Sequence, residues 1–469
     1  MEQKTTGITL KDKIGYALGD MGGTLFLGMI GSFLQVFYSN VLNISMNRIA
    51  TLRLVLSIWD GINDPILGTV ADRRPAGKHG KFRPYMRNFS IPFAIMGILM
   101  FTRIPGLNPT QYLIYAYIIH IIYEGLYTVL NIPLGSLASV MTTDGHERSV
   151  LSTFRSVGSG LGGLPAAIIL PLFVYSATAD GIEYLDAQKL FVSVSIFAVA
   201  SIIIHQMAFH MITERVPPPP KEETHNFIYT IRVLLKNRPF LALCGCSMLL
   251  IGANLYTQTV YNYLYIDYFR EPRLYSLVTI ATHLPTVLLV PFIHKLVPRF
   301  GKKRLCAWGL LLSTAANTLA LLLRTANPFV FMVYCMFSGL GGTFLNVQLW
   351  ALLTDALDKQ ELLSGKREEG TCYSMFFFTR KLGHTAAGAG SAFLLGRIGF
   401  DENLLVQAPA VSQRIYTTAT LVPALAFFLN FVIMAFIYPL GKKDEEKIRE
   451  DLKLQRAAQE ALAHTEAPV

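Results

Sequence analysis

The sequence predicts an all-α membrane protein whose twelve transmembrane helices form two pseudo-symmetric six-helix bundles. Three observations carry that expectation. Of 469 residues, 52% are hydrophobic and only 15% charged, with a mean hydropathy of +0.41. An average soluble domain is about 25% charged, and a chain this size has too little interior to hide so much apolar surface. The apolar residues fall in runs long enough to span, roughly 20 residues each, and a polar break divides them six and six.

The spans read in order as 13–39, 46–70, 85–103, 109–141, 150–177 and 187–212, then 238–265, 275–297, 304–324, 328–356, 371–398 and 410–440. The polar N-terminus ends in Lys11 and Lys13, and the run that follows is too long for a signal peptide and lacks a clear cleavage site, so it is expected to remain as a helix. Residues 1–212 form the first bundle, 213–237 a cytoplasmic linker, 238–440 the second bundle and 441–469 a charged, helical cytoplasmic tail. The linker carries Pro217 to Pro220 followed by Lys221-Glu222-Glu223, a semi-rigid composition.

A net charge of +10 is compatible with nucleic acid, but the basic residues sit in short segments between apolar runs. Segment 71–87 holds Arg73, Arg74, Lys78, Lys81, Arg83 and Arg87 against Asp72 alone, and 298–304 holds Arg299, Lys302, Lys303 and Arg304. Loop 178–188 holds Asp180, Glu183 and Asp186 and no base. The positive-inside rule then puts both termini in the cytoplasm of a multi-pass protein of the cell membrane. The two basic loops each close the second helix of a half, the weak internal repeat that secondary transporters show. Five cysteines show no paired spacing; Cys244-x-Cys246 has no partner pair and reads as small apolar residues.

Charges inside the spans hold the chemistry, because each costs about 2.5–3.5 kcal/mol at a helix centre on insertion scales. In Trp59-Asp60-Gly61-Ile62-Asn63-Asp64-Pro65 the two acids lie four apart, on one helix face, with Asn63 beside them. Like charges so placed repel, so either one stays protonated or a cation sits between them. Pro65 frees the carbonyl of Gly61, and the oxygen-rich set suits a small hard cation. In the fourth span Glu124, Thr128 and Asn131 share a face, and Thr128 is placed to add a hydroxyl. Glu124 reads as a second proton carrier, a partner for a buried base, or a side chain snorkelling to an interface. Arg155, Arg380 and Lys381 are intramembrane bases that either meet a substrate carboxylate or neutralise Asp20, Asp60, Asp64 or Glu124. Gln258, Tyr261, Asn262 and Tyr265, with Trp350, Gln348 and Asn346, read as a sugar pocket or as packing. No GxxxxGK[ST], HExxH or GxSxG occurs, which argues against a P-loop pump and an enzyme.

The core Trp59-Asp60-x-x-Asn63-Asp64-Pro65-x-x-Gly68 and the loop Gly80-Lys81-Phe82-Arg83-Pro84 resemble the glycoside–pentoside–hexuronide:cation symporters, the melibiose-carrier branch of the major facilitator superfamily. Gly15-Tyr16-x-x-Gly19-Asp20, Tyr127-Thr128-x-x-Asn131-Ile132-Pro133, Trp350 to Asp355, Glu369-Gly370-Thr371-x-Tyr373 and Thr379-Arg380-Lys381 extend the likeness over nearly the whole chain. The resemblance implies alternating access and sugar uptake coupled to Na⁺, Li⁺ or H⁺, with the cation held at Asp60, Asn63, Asp64 and Thr128. Sodium, if it is the coupling ion, sits at Asp60 and Asp64, and no resident cofactor is expected. Thr24 and Asn131 stand where the melibiose carrier has its sugar-gripping carboxylates, and Gly135 where it has a tryptophan. The implied substrate site therefore gathers Asp20, Thr24, Asn131, Gly135, Arg155, Tyr261, Trp350, Arg380 and Lys381. Loss of two negative groups with retention of the bases favours a glucuronide or other hexuronide over a neutral pentoside, xyloside or galactoside. Asp72, Arg73, Arg83 and Asp355 are the expected cytoplasmic latch. The expected partners are a small glycoside and the lipid bilayer, with no nucleic acid, and the monomer as the working form. A lysolipid carrier on the same fold, a membrane sugar sensor and a membrane-embedded enzyme are the competing readings.

Overall fold

The computed structural model describes residues 7–73, 77–142, 144–216, 232–364 and 369–465. Among them helices α1 (Leu10–Met29), α2 (Met46–Arg73), α3 (Arg83–Met100), α4 (Pro109–Met141), α5 (Gly145–Phe173) and α6 (Ala187–Met211) precede residue 217. After it come α7 (Arg238–Tyr263), α8 (Tyr275–Phe300), α9 (Lys302–Leu323), α10 (Pro328–Ser364), α11 (Glu369–Arg397), α12 (Pro409–Val432) and a tail helix α13 (Lys442–Thr465). Eight are long and apolar enough on their own to cross a membrane: α1, α4, α5, α6, α7, α9, α10 and α12. Of the remaining core helices, α2 carries Asp60, Asn63 and Asp64 and α11 carries Arg380 and Lys381.

Local signals explain the starts. Thr9 caps α1 with Asp12 returning the bond, and Asn108 caps α4 with Gln111, reciprocal pairs that satisfy orphan N–H groups. Asp186 Oδ1 accepts from the N–H groups of Gln188 and Lys189 and caps α6. Within the acidic loop before it, Tyr175–Ala177 and Glu183–Leu185 pair as an antiparallel hairpin, called β1 and β2 here, an element the sequence reading does not contain. α10 runs eight residues past the expected end at 356. Short π-helical stretches extend α1 (Ile30–Leu34, Phe37–Val41), α7 (Leu264–Tyr268) and α12 (Ile433–Ile437).

Apolar faces are turned outward. Ile58, Ile62 and Ile66 on α2 are each more than half exposed, as are Ile114 and Ile118 on α4 and Val192, Ile196, Val199 and Ile203 on α6. Stripes of this kind at helical spacing match a hydrocarbon solvent, not water.

The chain separates into two compact units. The first holds residues 1–222 together with 258–276 and 389–415; the second holds 223–257, 277–388 and 416–469. In the first, α1 packs on α4, α5 and α6, α3 on α4 and α6, and α2 on α4. Small residues let α1 and α5 touch: a Cβ on Gly158 would lie 2.0 Å from the Ala17 carbonyl, and one on Gly28 2.2 Å from that of Gly163. The end of α7 joins this unit through polar side chains. Gln258 Nε2 donates to Ser32 Oγ at 3.1 Å, Asn262 Nδ2 donates to the Ser32 carbonyl at 2.7 Å, and Tyr263 shares a hydrogen bond with Ser39 at 2.8 Å.

In the second unit α9 packs on α10, and α10 on α13. Its core includes Leu310, Leu345, Leu349, Leu352 and Phe376, with the buried thiols of Cys246, Cys306 and Cys372.

The basic loops behave alike in both units. Arg83 Nη1 donates to the Ile212 carbonyl at the end of α6, and Lys303 Nζ to the Tyr438 carbonyl at the end of α12, both at 2.6 Å. An acid beyond each of those helices completes the arrangement. Glu214 accepts from the backbone N–H groups of Lys81, Phe82 and Arg83, and Glu445 Oε2 lies 3.1 Å from Lys302 Nζ.

Candidate functional site

The first unit brings together two clusters, one on α2 and α4, the other on α1, α4 and α5. In the first cluster Asn63 Nδ2 donates to Thr128 Oγ1 at 3.0 Å, and both residues are 5% exposed. Gly125 lies alongside, where a Cβ would meet Asn63 Oδ1 at an ordinary contact distance of 3.9 Å. Asp60 lies three residues earlier on α2 with Oδ1 buried. The bond uses the Asn63 amide N–H as donor and leaves its Oδ1 as a neutral acceptor oxygen. The Asp64 side chain lies outside the described residues, as do those of Asp72 and Arg73.

The second cluster is a chain of charge-assisted bonds. Arg155 Nε donates to Asp20 Oδ1 at 3.0 Å, Arg155 Nη2 donates to Asn131 Oδ1 at 2.8 Å, and Asn131 Nδ2 donates to the Tyr127 hydroxyl at 2.7 Å. Asp20 and Arg155 are 10% and 28% exposed, so the pair is largely desolvated. Gly135 abuts it, with Arg155 Nη1 3.3 Å from where a Cβ would stand. The room left by the missing side chain is thus used by the guanidinium. Thr24 Oγ1 donates to the carbonyls of Asp20 and Met21 on its own helix and is covered by Gly162 of α5. A small cavity beside Asp20 is lined by Gly23, Tyr127, Asn131 and His205.

Tyr261 is also in the first unit, buried at 6% exposure. Its neighbours Gln258 and Asn262 direct their amides to α1, as described above. Tyr175 donates to Asn262 Oδ1 at 2.8 Å. These polar residues of α7 therefore act in packing within this unit.

The second unit carries the remaining candidates. Arg380 Nη1 donates to Ser247 Oγ at 3.1 Å, and its guanidinium sits 5.7 Å from the Trp350 ring centroid. Trp350 packs edge-on to Phe376 and against Phe377. Among the described residues no carboxylate lies within ion-pair distance of Arg380. Lys381, the next residue, is exposed. Asp355 pairs with the buried Lys302 of α9, inside the same unit. Arg83 likewise engages its own unit, through Ile212 and the face of Phe209.

Four participants were absent from the sequence reading of the site. Tyr127 lies four residues before the expected site residue Asn131 on α4, a spacing that signals contact. His205 is a lone histidine on an apolar helix, and Ser247 one small polar residue among many; neither carries a distinguishing pattern. His120, four residues before Glu124, places Nε2 3.4 Å from Glu124 Oε1.

A family described as MFS/sugar transport protein matches residues 15–442 of the chain. The uncharacterized symporter YjmB of Bacillus subtilis (strain 168) is 31% identical over 95% of this chain and 95% of its own length. A glucuronide carrier protein homolog of Escherichia coli (strain K12) is 28% identical over 96% of each chain. Among solved structures, a variant of the nucleoside transporter NupG superposes with a TM-score of 0.63 at 14% identity, covering 91% of this chain and 100% of that one.

Proposed function

Because the chain belongs to the MFS/sugar transport protein family, a multi-pass, membrane-embedded sugar or glycoside symporter family, we propose that its substrate is a glucuronide or another hexuronide glycoside and that Na⁺ or H⁺ drives its import. The observation that carries the substrate reading is Arg380. Its guanidinium is held by a serine hydroxyl and an indole face, both neutral, and among the described residues its charge is left for a carboxylate to balance. A guanidinium fork takes a carboxylate by two parallel bonds. The name of the glucuronide carrier homolog supports the same class. A neutral pentoside or galactoside is the second reading, favoured by the first unit, where Arg155 is already balanced by Asp20.

The cation takes the oxygens of Asp60, Asn63 and Thr128, with Asp64 on the same face of α2. One positive charge among these acids relieves their repulsion and ties α2 to α4. Sugar hydroxyls are read by Asn131, Asp20 and the edge of Arg155. In the second unit Lys381 adds charge beside Arg380, and Trp350 offers an apolar face to the sugar ring. Alternating access converts cation entry into uptake. The same reading places the protein in the cell membrane as a working monomer, both termini cytoplasmic, with Asp72, Arg73, Arg83 and Asp355 governing the cytoplasmic side.

Proteoliposomes test both halves of the reading. A labelled glucuronide is compared with a neutral glycoside under separately imposed Na⁺ and proton gradients. One of the two gradients is expected to concentrate the glucuronide, Asp60→Asn to abolish that accumulation, and Arg380→Gln to reduce glucuronide uptake relative to the neutral glycoside about tenfold or more. Cation-driven accumulation retained in Asp60→Asn, or equal loss of both substrates in Arg380→Gln, refutes the corresponding assignment.

A further inference from the structure

Glu124 stands near the middle of α4, fifteen residues after Pro109 and seventeen before Met141. At 1.5 Å per residue each end is more than about 20 Å away, beyond any reach by snorkelling. Its carboxylate meets His120 instead, Nε2 to Oε1 at 3.4 Å, with the imidazole 1% and the glutamate 18% exposed. His120 Nδ1, Arg53 Nε and the hydroxyls of Tyr38 and Tyr123 are all buried without a hydrogen-bond partner. Arg53 of α2 interacts electrostatically with Glu124 and with Tyr38 of the α1 extension. Neither the cation cluster nor the sugar-facing groups use any of these side chains.

We propose that His120 and Glu124, faced by Arg53, form a proton-binding site distinct from the Asp60–Asn63–Thr128 cluster. With neutral His120, the charges of Arg53 and Glu124 cancel, so the trio is complete as it stands. The 3.4 Å contact places one proton on Nε2, directed at the carboxylate. A second proton has one favourable destination: Nδ1 has no acceptor to receive an N–H, so it goes to the Glu124 carboxyl. The facing groups are Arg53 and, two turns further along α2, Asp60; Tyr38 from the α1 extension; Tyr123 and Tyr127 on α4 itself; and Tyr263 of α7, which acts on Arg53. The ionisable groups of α3 are confined to its first two turns, at Arg83, Tyr85 and Arg87.

Glu124 lies one turn before Thr128, so the two clusters are stacked along the same helix pair. A proton at Glu124 leaves the Arg53 charge uncompensated beside the cation cluster, and the two occupancies oppose each other. That opposition rests on the cation reading above; the proton site does not.

Infrared titration of the purified full-length protein tests it without substrate. Wild type is expected to show a carboxylic-acid band that titrates with one proton and is missing in Glu124→Gln. His120→Gln is expected to retain the band with its midpoint moved by about one pH unit, a tenfold change in proton affinity. Asp60→Asn, which on the cation reading loses driven accumulation, is expected to keep the band. Saturating Na⁺ is expected to lower the wild-type midpoint by about one unit. A wild-type spectrum without such a band, or the same band in Glu124→Gln, overturns the proton site. Its loss in Asp60→Asn overturns the separateness of the two clusters. A midpoint indifferent to Na⁺ overturns the opposition alone. If Glu124→Gln does not fold, an unmoved midpoint in His120→Gln refutes the proposal by itself.

Discussion

The close approach of α1 and α5 holds Asp20 against Arg155, and one methyl group tests this. A Cβ on Gly158 would stand 2.0 Å from the Ala17 carbonyl oxygen, whereas ordinary contact begins at 3.4 Å. The obstacle is backbone and cannot rotate aside, so Gly158→Ala forces the helices about 1.4 Å apart locally. Arg155 is three residues before Gly158, less than one turn. Its 3.0 Å bond to Asp20 then stretches beyond hydrogen-bonding range. Overpacking typically costs about 1–3 kcal/mol, and losing a charge-assisted bond about 1.5–3. The partial exposure of Arg155 discounts the second, for roughly 3 kcal/mol together. The control is Gly160→Ala on the same helix, where a Cβ meets nothing within 4 Å and helix propensity favours alanine by about 1 kcal/mol. Thermal unfolding in detergent is expected to place Gly158→Ala several degrees below wild type and Gly160→Ala at or above it. Substrate exchange is expected to fall only in the former. Equal melting temperatures for the two variants would refute the argument.

Asn131→Asp puts a second carboxylate beside Arg155, and competition uptake is expected to show glucuronide falling about tenfold relative to a neutral glycoside. Lys302→Met removes the ammonium that Asp355, 5% exposed, and Glu445 share; unfolding is expected to become easier by about 3 kcal/mol, and adding Asp355→Asn to recover part of the loss. Partial burial works against the Asp186 carboxylate, but hydrogen bonds from Ser176 and from the N–H groups of Lys189 and Gln188 outweigh it and hold its pKa below the usual 3.8. A depressed carboxylate pKa stabilises the fold above its unfolded value, and that contribution is lost as pH falls through the folded value. Asp186→Ala, which removes a helix cap worth about 1 kcal/mol, is therefore expected to melt below wild type at neutral pH, with the gap narrowing under acid below 3.8.

The all-helical membrane architecture was legible because hydrocarbon imposes simple rules: long apolar runs separated by short polar and basic loops. The Asn63–Thr128 contact was legible for a related reason, since spans that bury amides and hydroxyls must pair them. The partner of each buried charge was not. The four acids and three bases weighed inside the spans permit many pairings, Arg53 of α2 was not among them, and which pairs form depends on which helices pack closely. Gly158, Gly160 and Gly162 look interchangeable in the sequence, yet the first and third abut α1 and the second abuts nothing. The β1–β2 hairpin was hidden because its polar residues between two spans read as an ordinary loop. His120 was overlooked as partner to Glu124 because the bases weighed were Arg and Lys, although a spacing of four was there to read.

The pairing of Asp20 with Arg155 bears directly on where an anionic sugar would be held. If a hexuronide carboxylate took Arg155, Asp20 would be left buried without its counter-charge, and breaking a buried pair in this way costs about 3–5 kcal/mol. A new bond to the same guanidinium returns little more than was lost. Arg380 has no such competitor among the described residues, only Ser247 and the Trp350 face. On the hexuronide proposal, Arg155, already neutralised by Asp20, is the weaker holder of a carboxylate and Arg380 the stronger. This division also accounts for Asn131 in place of an acid: its amide accepts from Arg155 and donates to Tyr127 at once. A carboxylate in that position cannot make the second bond as a donor.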